Sequence, residues 1–226
     1  MTIAQLDIEV EPGLQVSALL HTPAQPVACY VFAHGAGAGM THAFMEAVAR
    51  GLSDRGIASL RYQFPYMERG SKRPDAPPLA HATVRAAVAE AALRLPGLPL
   101  FAGGKSFGGR MTSQAQAQSP LPHVRGLIFV GFPLHPAGKP SDDRAAHLSG
   151  IAVPMLFLQG TRDELAQLEL LRPMVARLGS RATLHVFEYA DHSFHVPVRS
   201  GRTDAQVMDE LLDGATAWIR DVLDGR

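Results

Sequence analysis

Gly104-Lys105-Ser106-Phe107-Gly108 carries the residue types of a chemical site. A serine hydroxyl serves as a nucleophile when a sharp strand-to-helix turn lifts it clear of the backbone and a base takes its proton. The residues two before and two after such a serine crowd together, and Gly104 and Gly108 remove the side chains that would collide there. Gly103 and Gly109 widen the range of torsions open to the turn. Before the turn, Leu98-Pro99-Leu100-Phe101-Ala102 is short and apolar, as a buried parallel strand should be. After it, residues 110–118 predict a helix, with no breaker until Pro120. A helix N-terminus places partial positive charge where an oxyanion would form, so the implied chemistry is attack on a carbonyl.

Two phosphate-binding readings compete and are tested by single residues. Gly104-Lys105-Ser106 looks like the end of a Walker loop, but that motif needs glycine where Pro99 stands. Gly35-Ala36-Gly37-Ala38-Gly39 follows a strand-like run, but a dinucleotide fingerprint needs Gly or Ala where Met40 stands. It also needs an acid where Arg61-Tyr62-Gln63 stands. An ordinary glycine-rich turn is the plain alternative for Ser106.

A nucleophilic serine needs a histidine base oriented by a carboxylate. Asp163 lies in Gly160-Thr161-Arg162-Asp163 and His192 in Asp191-His192, each just past a strand-like run and in the order serine, acid, histidine. Neighbouring strands are about 5 Å apart, which allows an Asp163–His192 hydrogen bond with the imidazole swung towards Ser106. Asp163 also reads as the N-cap of a helix beginning near Glu164, and Glu164 is the alternative carboxylate. His195 is the rival histidine and otherwise a surface one; Asp191, His192 and His195 are too few well-spaced ligands to argue a metal. For the oxyanion, the expected donors are the backbone N–H groups of Phe107 and Ala36, with Gly37 as the alternative to Ala36. His34 reads as a structural loop histidine, since one base suffices.

The elements that must hold these residues alternate. Strands are predicted at 14–20, 27–33, 57–62, 98–102, 124–130, 154–159 and 182–187. Helices are predicted at 41–55, 79–95, 110–118 and 165–178. A last helix opens on a Thr203/Gln206 capping box, with Val207, Leu211, Ala215, Trp218, Ile219 and Val222 on one face. Residues 63–78 and 131–140 read as long loops. The expectation is an α/β fold: one domain over residues 1–226, a mostly parallel central sheet with helices on both faces, function at the carboxyl ends of the strands, and no large cap. Phe64, Tyr66, Phe132, Leu134 and Phe194 all follow strands and either line an apolar acyl site or pack under the loops. Arg69, Lys72 and Arg73 either attract an acidic substrate or are simply solvated.

The formal net charge is +0, which argues against a nucleic-acid footprint. Apolar runs such as 126–134 are far shorter than the ~20 residues a bilayer requires, and no signal segment is evident at Met1-Thr2-Ile3-Ala4-Gln5. The single Cys29 excludes an internal disulfide and reads as a buried small hydrophobe. A cytoplasmic location is the default expectation.

Taken together, these motifs resemble the α/β-hydrolase superfamily. More narrowly, several stretches are similar to a little-characterised branch that includes a testis-expressed protein and a subunit of a chromatin-associated acetyltransferase complex. These are His34-Gly35-Ala36-Gly37, Phe64-Pro65-Tyr66, residues 103–110, Gly131-Phe132-Pro133-Leu134-His135-Pro136, Gly160-Thr161-Arg162-Asp163 and Asp191-His192-Ser193-Phe194. The resemblance implies Ser106, Asp163 and His192 as a triad and implies no settled substrate; no cofactor and no metal are expected. Dienelactone hydrolases are similar in size and layout, but their nucleophile is cysteine where Ser106 stands. The expected activity is hydrolysis of a small-molecule carboxylic ester or thioester. A non-catalytic interaction module on the same fold is the alternative, as is a peptidase or acyltransferase sharing the triad.

Overall fold

A computed structural model describes residues 1–226. The strands are β1 (Thr2–Glu11), β2 (Leu14–Thr22), β3 (Ala28–Ala33), β4 (Ile57–Tyr62), β5 (Leu100–Lys105), β6 (Val124–Val130), β7 (Met155–Gly160) and β8 (Ala182–Phe187). They form one sheet in the order β1-β2-β4-β3-β5-β6-β7-β8. β1–β2 and β2–β4 pair antiparallel, and every pairing from β4 to β8 is parallel. The fold is therefore the α/β arrangement expected, an α/β-hydrolase fold with a mostly parallel sheet.

The helices are α1 (Ala43–Asp54), α2 (Pro65–Glu68), α3 (Pro77–Arg94), α4 (Phe107–Gln118), α5 (Leu168–Arg177) and α6 (Asp204–Leu223). Alternation along the buried strands divides the core into two layers. In β3, Cys29, Val31 and Ala33 face the layer that holds α3, α4 and α5. Ala28, Tyr30 and Phe32 face the layer beneath α1 and α6. No helix is long and apolar enough to cross a membrane.

The chain leaves β3 through α1 to reach β4 on one side, and returns through α3 to β5 on the other. Consequently α1 covers one face and α4 the other, and the loops after β3 and β5 part company at the centre of the sheet. Such a divergence leaves a crevice at the carboxyl ends of the strands.

Several elements differ from the sequence expectation, β5 among them, which runs over Leu100–Lys105 and not 98–102. β1 was not expected: its side chains are mostly exposed and Ile8 alone is fully buried, so it lacks a strong alternating pattern. The 63–78 stretch contains the short α2 and the first turn of α3, whose Pro77 and Pro78 occupy positions where a helix N–H has no partner anyway. α4 begins at Phe107, running straight through Gly108 and Gly109. α5 begins at Leu168 with Gln167 as its cap, so Asp163 is not a helix cap. The segment between β6 and β7 holds a 3-10 run at Asp143–Gly150 and no larger insertion.

Candidate active site

Ser106 follows β5 directly and caps α4 with φ 49° and ψ −114°, a positive-φ conformation that an L-residue adopts only under constraint. The turn is held from below: the Ser106 N–H bonds the Val130 carbonyl at 3.1 Å. A Cβ on Gly104 would meet the Ala33 carbonyl oxygen at 2.5 Å, and one on Gly108 would meet the Ala33 Cβ at 2.6 Å. The two glycines thus let the turn and the start of α4 settle directly on the end of β3.

His192 Nε2 lies 2.9 Å from Ser106 Oγ, and His192 Nδ1 lies 2.7 Å from Asp163 Oδ2. A carboxylate only accepts, so Nδ1–H donates to Asp163 and the Nε2 lone pair faces the serine hydroxyl. The Asp163 side chain is 0% exposed and that of His192 26% exposed. Asp163 Oδ1 accepts the Leu165 N–H at 2.8 Å, and Oδ2 also accepts from Gln159 Nε2. Glu164 is exposed. Gln159 is a contributor that sequence reasoning missed, because a glutamine inside a buried strand run gives no signal of its own.

The remaining histidines separate cleanly. His195 is exposed and bonds Asp204 Oδ2 at 2.6 Å, which raises its pKa. Asp191 turns to the backbone, accepting the N–H groups of Ser193 and His195, so the three do not converge on a common point. His34 is fully buried. Its Nδ1 bonds the Gly35 carbonyl at 2.8 Å, and its Nε2 accepts the Phe64 N–H at 3.0 Å. Burial pushes its pKa down to about 4, against the Gly35 bond, so it stays neutral.

The loop after β3 is aimed by these contacts. The Tyr66 hydroxyl donates to the Ala36 carbonyl at 2.9 Å, and burial lifts its pKa to about 12. In a trans peptide the C=O and the following N–H point in opposite directions. His34 on the Gly35 carbonyl and Tyr66 on the Ala36 carbonyl therefore fix the directions of the Ala36 and Gly37 N–H groups. Phe107 is the first residue of α4, whose N–H has no partner within the helix.

A groove of about 730 Å³ opens beside Ser106, lined by Gly35 to Ala38, by His42 to Met45 and Ala47 of α1 and its approach, and by Lys105, His192, Ser193 and His195. The residues expected to line an acyl site lie elsewhere. Phe64, Tyr66, Phe132 and Leu134 are buried in the layer beneath α3 and α4, and Phe194 in the layer beneath α1 and α6. The reason is packing under the loops: Phe64 and Tyr66 meet Phe107 edge to face, with ring centroids 5.2 and 6.3 Å away. Phe194 instead backs Phe44, which does reach the groove, at 5.9 Å. Arg69 is tied to Asp75 at 2.6 Å, and neither it nor Lys72 nor Arg73 lines the groove.

A profile of the alpha/beta hydrolase domain family matches residues 26–220, from just before β3 to near the end of α6. The chain belongs to the alpha/beta hydrolase domain family. Solved structures of the same fold include an alpha-beta serine hydrolase homologue from Coxiella burnetii, at 21% identity and TM-score 0.76 over 95% of this chain and 98% of that one. A serine hydrolase without lid from Xanthomonas campestris aligns at 21% identity and TM-score 0.75, covering 96% and 94%. A dienelactone hydrolase from Anabaena variabilis aligns at 18% identity and TM-score 0.79, covering 97% of each chain. At these identities the likeness is one of fold.

Proposed function

We propose that this alpha/beta hydrolase family member is a serine hydrolase acting on carboxylic esters or thioesters. The observation that carries the reading is His192, whose two ring nitrogens bridge Ser106 Oγ and Asp163 Oδ2 at 2.9 and 2.7 Å. In this reading Ser106 Oγ attacks the carbonyl carbon as its proton passes to His192 Nε2. The Phe107 and Ala36 N–H groups receive the oxyanion. His192 then returns the proton to the leaving alcohol or thiol as the C–O or C–S bond breaks. Water, deprotonated by the same nitrogen, releases the acid from the acyl-enzyme. Asp163 keeps the imidazole in the required tautomer throughout. Neither step calls for a cofactor.

Apolar Phe44, Met45 and Ala47 beside Ser106 favour a small substrate with an apolar portion, and the absence of a large insertion after β6 favours one that enters without displacing a cap. The motifs quoted above carry the narrower branch resemblance as a further part of this proposal. A cytoplasmic setting accords with the single, buried Cys29.

A fluorophosphonate should label the wild-type protein at Ser106, and Ser106→Ala should be silent. A panel of p-nitrophenyl esters and acyl thioesters, run beside amide substrates, separates an esterase from a peptidase. A folded wild-type protein that takes no label and turns over no member of the panel would overturn the reading.

A further inference from the structure

Lys105 stands between the apolar strand β5 and the nucleophile, and its ammonium donates to the main-chain carbonyl of His192. It also lies over two aromatic faces, 5.8 Å from the ring centre of Phe44 and 5.4 Å from that of Phe194. A Cβ placed on Gly131 would sit 3.0 Å from Lys105 Nζ and 3.4 Å from His192 Nδ1 and Cε1, so ammonium and imidazole flank one point. Asp163 and Asp191 act on the ammonium through space, without an ion pair to it. An ammonium withdrawn from water with no carboxylate partner is costly. An apolar side chain of similar length would fill the slot without that cost, so the retained charge calls for a role.

The loop that carries His192 supplies one. Residues 188–197 form no strand or helix. Most of their ties lead away from the serine: Tyr189 N–H to Thr161 Oγ1, Arg162 N–H to the Ala190 carbonyl, and Val196 N–H to Asp204. Lys105 and Ser106 are the residues of the serine turn that hydrogen-bond this loop, and Lys105 alone grips its backbone.

We propose that Lys105 is a positioning residue, whose charged ammonium pins the His192 main chain to the serine turn and so holds the imidazole in register with Ser106 Oγ. The proposal rests on the serine-hydrolase reading above. A displacement of about 1 Å between reacting groups can cost on the order of a hundredfold in rate, which is the scale on which such a tether acts.

Burial lowers the Lys105 pKa to about 8, against the raising influence of Asp163 and Asp191. The groups that face it are Asp163 from the loop after β7 and Asp191 and His192 from the loop after β8; Phe44 of α1 and Phe194 contribute rings and no titratable group. Above that pH the donor keeps its place but loses its charge, and the grip on the carbonyl weakens.

The test compares Lys105→Met and Lys105→Arg with wild type by kcat and KM on a p-nitrophenyl ester, by the rate of fluorophosphonate labelling, and by the low-field proton resonance of His192 Nδ1. Lys105→Met should lower kcat and the labelling rate tenfold or more with KM within twofold, and should broaden or abolish the Nδ1 resonance. Lys105→Arg, charged at every accessible pH, should keep kcat within threefold. Wild-type kcat should decline through the region of pH 8, a decline absent in Lys105→Arg. Equal kcat in wild type and Lys105→Met, or equal impairment of both variants, would overturn the proposal. If the wild type neither labels nor turns over ester, the serine-hydrolase reading is what has failed. The Nδ1 resonance then judges Lys105 alone: lost in Lys105→Met and kept in Lys105→Arg supports the tether, and unchanged in both rejects it.

Discussion

At the scale of single residues, the site depends on how Asp163 is held. Its carboxylate accepts from His192, Gln159 and the Leu165 N–H, so it is fixed before the imidazole arrives. Asp163→Asn would offer His192 Nδ1 an amide and favour the wrong tautomer; we expect kcat to fall by roughly three orders of magnitude or more with KM little changed, measured on the best ester of the panel. Gln159→Leu leaves Asp163 with one donor fewer, and we expect a loss of about tenfold in kcat with folding retained, checked by kinetics beside circular dichroism. These residues were not equally legible in the sequence. Ser106, Asp163 and His192 stand out because each follows an apolar run, in an order and setting that chemistry constrains. Gln159 lies inside such a run and looks like any buried polar residue. The apolar loop residues left two readings open for a related reason: Phe64, Tyr66, Phe132 and Leu134 have the composition of a pocket wall, but composition does not say which way a loop folds over. Phe44, which does reach the groove, is partly buried against the layer beneath α1 and α6, and an apolar residue so placed carries no signal of a second role.

At the scale of elements, the decisive contact is the end of β3 against the turn before α4. Gly108→Ala would drive a methyl group to 2.6 Å from both the Ala33 Cβ and the His34 carbonyl oxygen. Because backbone would have to move, we expect a loss of about 2–3 kcal/mol, read as a lower urea midpoint, together with slowed labelling of Ser106. The central strands and α6 were readable from sequence because they bury a whole run or a whole helical face. β1 was not, since its outward side is solvated and the edge strand has no second neighbour to demand apolar residues. The start of α4 was hidden by Gly108 and Gly109, which weaken a helix locally but are required by the approach to β3.

At the scale of the whole molecule, three buried or half-buried histidines tie stability to pH. Burial lowers the pKa values of His34 and His147 to about 4 and also depresses that of His21. Between the ordinary value of 6.5 and about 4, the unfolded chain binds protons that the native state refuses, so stability is fully present above 6.5 and declines as pH falls through this window. For fully buried His34 the difference amounts to on the order of 3 kcal/mol. Urea midpoints measured from pH 7 to 4 should fall, and His34→Gln should flatten the slope whatever it does to the absolute stability. A slope unaltered by that substitution would remove His34 from the account.

The order of the sheet has one more consequence. β1 to β4 occupy one side of the β3–β5 junction and β5 to β8 the other, so the chain is bisected in space as it is in sequence. The 35–38 loop after β3 belongs to the first portion, and Ser106, Phe107, Asp163 and His192 all belong to the second. Lys72 and Arg73 are exposed in the connection between them, and the Lys72–Arg73 bond is open to trypsin, while Pro74 protects the bond after Arg73. A nick there yields two fragments clasped by the β3–β5 ladder, with α3 of the second portion lying against β1, β3 and β4 of the first. Under the serine-hydrolase proposal, ester turnover by the separately expressed pieces requires their reunion, which suits the chain to a two-part complementation reporter.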